Sequence, residues 1–302
     1  MLTPTRKIEA TVARWKERVA EQIRAAKDRR GRSRVDALAR YAADPSRILA
    51  DAGMPPDPWQ TEFLQSARAT KLILLLMARQ TGKTTACGAL ALAEAMTTAD
   101  YTAVVIAPIE KQAKEFIRKM MDLFNRIGRP IGVKREAVCE VEFANRSRVI
   151  ALPGKERSVH GYTANLLVID EGARVPDEVF NAASPQISAS KGRFVGLSTA
   201  FAKSGWFWEE WNNGKGYYKK KVSAYESSRH TRESLHEERR RMGPRWFAMS
   251  YLNEFGDSLD SVFRQEDIDA MLIGNEKVMP LFTPVESAYF DPDVEPLFGA
   301  IP

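Results

Sequence analysis

The chain has 302 residues, with 45 Lys and Arg against 39 Asp and Glu and a formal net charge of +6 at pH 7. Two cysteines without CxxC spacing and three histidines provide no zinc-binding pattern. The first residues lack the apolar core of a signal peptide, and the longest apolar run, residues 72–78, is too short to cross a bilayer. We therefore expect a soluble protein of the cytosol, and its basic excess fits a polyanionic partner.

Residues 1–50 are predicted to form a helical N-terminal arm. Apolar residues at positions 8, 12, 15 and 19 recur at helical spacing, and a charge-dense segment at 27–34 interrupts this pattern. A solvated arm is the favoured interpretation, and contact with a partner or with phosphates is left open.

Residues 51–64 pass from a proline-rich turn into a predicted helix with Trp59 and Gln60. The order proline, aromatic, glutamine resembles the adenine-reading glutamine motif of helicase-like ATPases. A glutamine presents both a donor and an acceptor, which matches the N6/N7 edge of adenine. Gln60 is therefore predicted to bind the base, and Trp59 to pack in the core or under the base rather than to bind nucleic acid.

The segment 72–84 carries the main phosphate-binding signal. An apolar strand runs into a turn that ends Gly-Lys-Thr, and an alanine-rich helix is predicted over 85–96. Backbone N–H groups at such a helix start cradle phosphate, while the lysine and threonine meet the outer phosphates and Mg²⁺. The usual GxxxxGK[ST] pattern has glycine where this chain has Met77. The residues predicted to bind nucleotide are Gln80, Thr81, Gly82, Lys83, Thr84 and Thr85, with Arg79 as a second cation for the γ-phosphate.

A second apolar run, residues 165–169, ends on the adjacent carboxylates Asp170 and Glu171. Buried parallel strands are continuous apolar runs, and α/β sheets bind ligands at the carboxyl ends of their strands. Asp170 is predicted to join Thr84 around Mg²⁺, and Glu171 to polarise the attacking water.

Further strands are predicted at 103–108, 141–143, 149–152 and 194–197, with a helix at 111–127. Alternating strands and helices predict an α/β fold with a mainly parallel sheet flanked by helices. A glutamate directly after the metal-binding aspartate indicates a P-loop NTPase of the additional-strand (ASCE, RecA-like) type. Residues 51–200 are predicted to form this core.

Residues 201–265 are predicted to form a small lid and linker subdomain. Trp206, Phe207 and other aromatic residues lie near several lysines, and a charged helix is predicted over 233–242. Such aromatics can stack on bases, but packing within a lid over the nucleotide is the favoured interpretation. The basic residues of this region remain candidates to face DNA.

These motifs together resemble the large subunit of the terminase of tailed bacteriophages. The loop 78–84 looks like that family's P-loop, and the sequence Leu-Ser-Thr-Ala at 197–200 is similar to its coupling motif, which implies a coupling role for Ser198 and Thr199. The segments 152–155, 159–162 and 204–209 also resemble the family.

The resemblance implies an ATP- and Mg²⁺-dependent motor that moves double-stranded DNA into a procapsid. It also implies a portal protein and a small terminase subunit as partners, a homo-oligomeric ring of five subunits, and a place in the host cytoplasm and transiently on the portal.

Three departures from the family pattern are visible. The family often has an arginine, a candidate trans-acting finger, where this chain has His160; Arg157, Arg146 or Arg148 could supply it instead. Ala200 replaces the usual proline of the coupling motif.

The third departure is one of extent. Members of the family carry a C-terminal two-metal nuclease domain, which is expected to be missing from this sequence, and residues 266–302 are interpreted as the linker toward it. The alternatives are a stand-alone helicase-like translocase and a non-hydrolysing nucleotide-binding scaffold.

Overall fold

The computed structural model describes residues 31–155 and 161–256, together with Glu21. The chain divides after Leu259 into two units, and all of these residues belong to the first. Most of the predicted arm, the finger candidate Arg157, His160 and the predicted linker at 266–302 lie outside the described residues. None of the helices in the described part combines the length and hydropathy that crossing a bilayer requires.

Helices and strands alternate through most of the described chain. The helices are α1 (31–43), α2 (Arg47–Asp51), α3 (Pro58–Ser66), α4 (Lys83–Thr97), α5 (Glu110–Arg126), α6 (Asp177–Ser190), α7 (Trp206–Asn212), α8 (Arg232–Met242) and α9 (Pro244–Phe247). The strands are β1 (Leu72–Met77), β2 (Thr102–Ala107), β3 (Val133–Ala137), β4 (Glu140–Phe143), β5 (Arg148–Pro153), β6 (Leu166–Asp170), β7 (Arg193–Ser198) and β8 (Tyr218–Val222).

The strands form one sheet in the order β3-β4-β5-β2-β6-β7-β1-β8. The pairs β5–β2, β2–β6, β6–β7, β7–β1 and β1–β8 are parallel. Among the described strands, only the β3–β4 and β4–β5 pairs are antiparallel. The carboxyl ends of β1, β6 and β7 therefore lie at one edge, with Asp170 in register with Leu197. The predicted fold class, a mainly parallel sheet flanked by helices, is confirmed.

The central strands are apolar throughout because helices cover both faces of the sheet. In β1, Ile73, Leu75 and Met77 contribute to one core cluster, whereas Leu74 and Leu76 contribute to the cluster on the opposite face. This explains why β1 is a continuous apolar run.

Helix α4 is buried on nearly all sides because the sheet, α2, α3 and α5 all pack against it. A Cβ on Gly88 would lie 3.6 Å from the Cβ and 3.7 Å from the Cα of Met120, so the two helices approach closely there. This contact fixes α5 relative to the helix that begins at the P-loop.

Residues 201–256 contribute more to the sheet than the sequence suggests. Strand β8 pairs in parallel with β1 and was not predicted, because its lysines conceal any apolar alternation. The placement of Trp206 and Phe207 in a lid over the nucleotide is wrong. Both are buried in the core on one face of the sheet, where Trp206 stacks on Phe180 with ring centroids 4.3 Å apart. The predicted domain boundaries stay predictions.

Candidate active site

The P-loop begins where β1 ends. Met77 is fully buried as the last strand residue, and the backbone turns only at Gln80 and Gly82, which have φ values of 61° and 85°. The Thr81 hydroxyl donates a hydrogen bond to the Ala78 carbonyl at 2.9 Å and closes the turn. The chain therefore needs no glycine at Met77, because that residue still has extended backbone.

Gly82 is required for two reasons. Its positive φ favours glycine, and a side chain would collide with its neighbours. A Cβ there would lie 2.9 Å from the Arg229 guanidinium and 2.9 Å from the Gln60 amide nitrogen. Arg229 and Gln60 thus both pack against the P-loop backbone.

The P-loop and the acidic strand meet. Thr84 donates from its hydroxyl to an Asp170 carboxylate oxygen at 2.9 Å, and the Lys83 ammonium lies 2.8 Å from a Glu171 carboxylate oxygen. Helix α4 supplies the first two residues and the end of β6 supplies the acids. Two motifs that are far apart in sequence therefore form one compact cluster.

The predicted coupling residues Ser198 and Thr199 contact this cluster directly. The Thr199 hydroxyl donates to Glu171 at 3.2 Å, and the Ser198 hydroxyl accepts from the backbone N–H of Ala173 at 3.1 Å. Glu171 has a φ of 52°, an uncommon conformation for a residue other than glycine. This backbone turn directs the chain out of β6 immediately after Asp170.

The two acids titrate differently. Burial raises the pKa of the Asp170 carboxyl to about 6, and the adjacent Glu171 charge adds to the rise. Burial also opposes ionisation of Glu171, but the charge of Lys83 and its hydrogen bond together hold the pKa of Glu171 below its ordinary value. A divalent cation near Asp170 would favour its ionised form. The Thr84 hydroxyl and the Asp170 carboxylate are the hard oxygen donors that Mg²⁺ prefers, so they fit this ion.

These residues line a cavity of about 660 Å³. Of the residues predicted from sequence, it is lined by Arg79, Gln80, Gly82, Lys83, Thr84, Thr85, Asp170, Glu171 and Thr199. Its lining is rich in cations, as expected of a site for a polyphosphate. A larger groove of about 1060 Å³ lies between α5 and the β3–β4 turn, where acidic and basic side chains pair with one another.

Gln60 is buried beside the P-loop. Its side-chain oxygen accepts from the backbone N–H of Asp57 at 2.9 Å, and its nitrogen donates to the Gly82 carbonyl at 3.4 Å. Both ends of the amide are thus occupied within the chain, and adenine recognition stays a prediction. Trp59 is buried in the core, which confirms its predicted packing role.

The described finger candidates lie away from this cavity. Arg146 forms a two-pronged ion pair with Asp100 at 2.7 Å, and Arg148 begins β5. Because β5 runs parallel with its neighbour β2, its first residue lies at the edge of the sheet opposite the P-loop. Any role of these arginines in a neighbouring subunit's site stays a prediction.

Several cavity residues were not predicted from sequence. They are Gln112, Glu115, Lys119, Arg174 and Arg229. The first three lie on one face of α5, at positions i, i+3 and i+7. No local motif marks any of the five, because their place depends on how α5, the turn after β6 and the chain after β8 pack.

The segment containing Arg229 is anchored to the start of α3. The hydroxyls of Ser227 and Ser228 donate to the Asp57 carboxylate, the first at 3.2 Å and the second at 2.5 Å. His230 Nε2 lies 3.0 Å from the Arg79 carbonyl oxygen. These contacts hold Arg229 over Gly82, and among the described residues no carboxylate forms an ion pair with it.

A family model described as "Terminase large subunit, T4likevirus-type, N-terminal" matches residues 74–270, which include every element of the site from β1 onward. The chain belongs to this family. The terminase membership places the described core in the general class of terminase ATPase domains. No curated protein sequence matches the chain significantly.

Solved terminases share the fold at low identity. The Thermus phage P74-26 large terminase ATPase domain is 19% identical with a TM-score of 0.62, and the match covers 70% of this chain and 99% of that chain. The HK97 bacteriophage large terminase is 16% identical with a TM-score of 0.58, covering 69% of this chain and 54% of that one. A large terminase of a thermophilic bacteriophage, solved with ATP-gamma-S, has 14% identity, a TM-score of 0.56, and coverage of 67% and 53%. The chain thus matches about half of these two longer terminases.

Proposed function

We propose that this protein hydrolyses ATP and that the energy moves double-stranded DNA during packaging of a phage genome. The observation that carries the proposal is the convergence of Lys83 and Thr84 with Asp170 and Glu171 in one cavity. Family membership supports the same conclusion independently.

ATP is held by the P-loop in this proposal. The backbone N–H groups at the start of α4 and the Lys83 ammonium bind the β- and γ-phosphates, and Arg79 and Arg229, which line the same cavity, add positive charge. Thr84 and Asp170 hold Mg²⁺, which neutralises charge on the phosphate oxygens when it is bound.

Glu171 orients and deprotonates the attacking water. Its carboxylate pairs with the Lys83 ammonium at 2.8 Å. A triphosphate competes for the same ammonium, because phosphate oxygens carry more charge than one carboxylate. Glu171 then retains its hydrogen bond from Thr199, which keeps the carboxylate near the γ-phosphate.

The coupling role falls to Ser198 and Thr199. They connect the carboxyl end of β7 to Glu171 and to the turn after it, so a shift of Glu171 on hydrolysis reaches β7 directly. Gln60, Gln80, Thr81 and Thr85 complete the nucleotide-binding set.

The larger assembly is also a proposal. A net charge of +6 suits a DNA partner. On the basis of terminase family membership, we propose that the protein acts in a ring on the portal, together with a small terminase subunit, in the cytoplasm. In this ring a neighbouring subunit supplies an arginine finger, from Arg157, Arg146 or Arg148.

Phosphate release, measured with and without duplex DNA, tests the proposal. Lys83→Ala is expected to abolish both nucleotide binding and hydrolysis, whereas Glu171→Ala is expected to abolish hydrolysis and still bind ATP. Normal turnover by the Glu171→Ala variant would show that another group is the base. No turnover by the parent protein, even with portal and small subunit present, would favour a nucleotide-binding scaffold.

A further inference from the structure

Asp57, the residue before α3, is a buried carboxylate held by hydroxyl groups. It is only 5% exposed and forms no ion pair among the described residues. Ser227 donates from its hydroxyl to one carboxylate oxygen at 3.2 Å, and Ser228 donates to the other from its hydroxyl at 2.5 Å. Burying a charge without a cation costs free energy, and strong hydrogen bonds to the charge offset that cost. The carboxylate of Asp57 therefore holds the chain after β8 against the start of α3.

Two routes connect Asp57 to the P-loop, and both end at Gly82. Through its backbone, the N–H of Asp57 donates to Gln60 Oε1 at 2.9 Å, and Gln60 Nε2 donates to the Gly82 carbonyl at 3.4 Å. Through its carboxylate, Asp57 binds the serines that directly precede Arg229 in sequence. A Cβ built on Gly82 would lie 2.9 Å from the guanidinium carbon of Arg229, so this cation lies against the P-loop backbone.

We infer that Asp57 is a positioning residue for the triphosphate of bound ATP and that it acts through Arg229. Arg229 lines the cavity of the P-loop, whereas Asp57 does not, so Asp57 affects the ligand only through other residues. The inference rests on the proposed function, because Arg229 is one of the cations of the proposed ATP site.

The cost of ordering explains why Arg229 needs such support. A long side chain loses rotamer freedom when it binds an anion, and a loop that must become ordered at the same time adds to that cost. The Ser227 hydroxyl donates to Asp57 and accepts from the backbone N–H of Arg229 at 3.3 Å. Asp57 thus fixes the backbone of Arg229 in advance, and only the arginine side chain remains to be ordered by the ligand.

A double-mutant cycle on the full chain tests the inference. The parent protein, Asp57→Asn, Arg229→Ala and the double variant are titrated with a fluorescent, non-hydrolysable ATP analogue in the presence of Mg²⁺. We expect Asp57→Asn to weaken binding about three- to tenfold, which is the contribution of one exposed cation. When Arg229 is already alanine, the same substitution should change the affinity by less than about twofold, because residues that act together are not additive. A purely structural role of Asp57 would not depend on the arginine.

Two further variants and a second ligand sharpen the result. Ser228→Ala, at an exposed position, removes a donor to Asp57 and should weaken binding only while Arg229 is present. Asp44→Asn is the matched control, because Asp44 also accepts from a serine, Ser46, but does not line the cavity. It should bind the analogue as the parent does. Inorganic tripolyphosphate should show the same losses as the ATP analogue, because Arg229 acts on the phosphates.

Three results would overturn the inference while the parent still binds ATP. Equal losses with and without Arg229 would show that Asp57 acts by another route, through the fold or through Gln60. Parent-like affinity of both Asp57→Asn and Ser228→Ala would leave Asp57 no role. A loss with the ATP analogue but not with tripolyphosphate would place the effect on the base. If Asp57→Asn does not fold, the Ser228→Ala cycle decides by the same criteria. If the parent binds neither ligand, the proposed function fails together with the inference.

Discussion

Two ion pairs at opposite edges of the sheet have similar geometry, but one stabilises the fold and the other lies in the candidate active site. Lys83–Glu171 and Arg193–Glu94 are both 2.8 Å long, and the side chains are 9% and 20% exposed in the first pair and 15% and 19% in the second. Arg193 also donates to the backbone carbonyls of Thr70 and Arg68, so each of its three guanidinium nitrogens donates a hydrogen bond within the chain.

In the pair at the P-loop edge, Lys83 is placed so that a bound ligand can replace Glu171 as its partner. Lys83 faces a cavity in which Arg79 and Arg229 add further positive charge, and Glu171 also accepts from Thr199. Burial and length are therefore poor guides to whether an ion pair is structural. The better guide is whether the cation's other donors are satisfied by the fold or left for a ligand.

Substitution at Glu171 provides the largest expected effect. Glu171→Gln removes the base and frees Lys83, so phosphate release should fall by about 10²–10⁴-fold while ATP affinity is kept or rises. Single-turnover hydrolysis and calorimetric titration measure the two quantities separately. Weaker ATP binding together with slower turnover would indicate that Glu171 mainly holds the nucleotide.

Substitution at Arg193 should show the opposite behaviour. Arg193→Met leaves Glu94 partly buried without its partner and should lower the free energy of unfolding by about 2 kcal/mol, at the low end for such pairs because both side chains retain some exposure. Chemical denaturation measures the loss, and ATP affinity of the folded protein should not change. A changed affinity would mean that the two edges are coupled.

Removing the Thr199 hydroxyl tests how Glu171 is positioned. Thr199→Val should slow phosphate release about ten- to hundredfold, as expected for one hydrogen bond to a charged group, with ATP affinity unchanged. Thr199→Ser retains the hydroxyl and should restore most of the rate. If the serine variant were as slow as the valine variant, the methyl group and not the hydrogen bond would be responsible.

The smallest effect is expected at Arg229. Arg229→Ala should weaken ATP binding about three- to tenfold, because it removes one exposed cation from the site. Arg232→Ala, at an exposed position three residues later, is the matched control. Equal affinity for both variants, measured by titration of a fluorescent ATP analogue, would remove Arg229 from the binding set.

Much of the fold could be read from sequence because its strands are continuous apolar runs. The predicted strand at 194–197 and helix at 111–127 match β7 (Arg193–Ser198) and α5 (Glu110–Arg126) to within one residue at each end. Strand β8 was missed because it lies at the sheet edge, where lysines are tolerated and no alternation is needed.

The site could be predicted only where a local motif exists. Lys83 and Asp170 belong to short segments whose chemistry is visible in the sequence. Arg229 and Gln112 do not, because one depends on serines that bond to Asp57 across 170 residues and the other on how closely two helices pack. Such contacts follow from tertiary structure and produce no recognisable residue spacing in the sequence.

The backbone of one P-loop residue, Arg79, has a mechanical consequence. The N–H of Arg79 donates to the Ser250 carbonyl at 2.9 Å, and the Arg79 carbonyl lies 3.0 Å from the His230 ring. Any rearrangement of this loop as its ligand changes must either carry residues 230 and 250 with it or rupture these bonds. A movement of the P-loop is therefore coupled directly to the segments around residues 230 and 250, with no separate hinge between them.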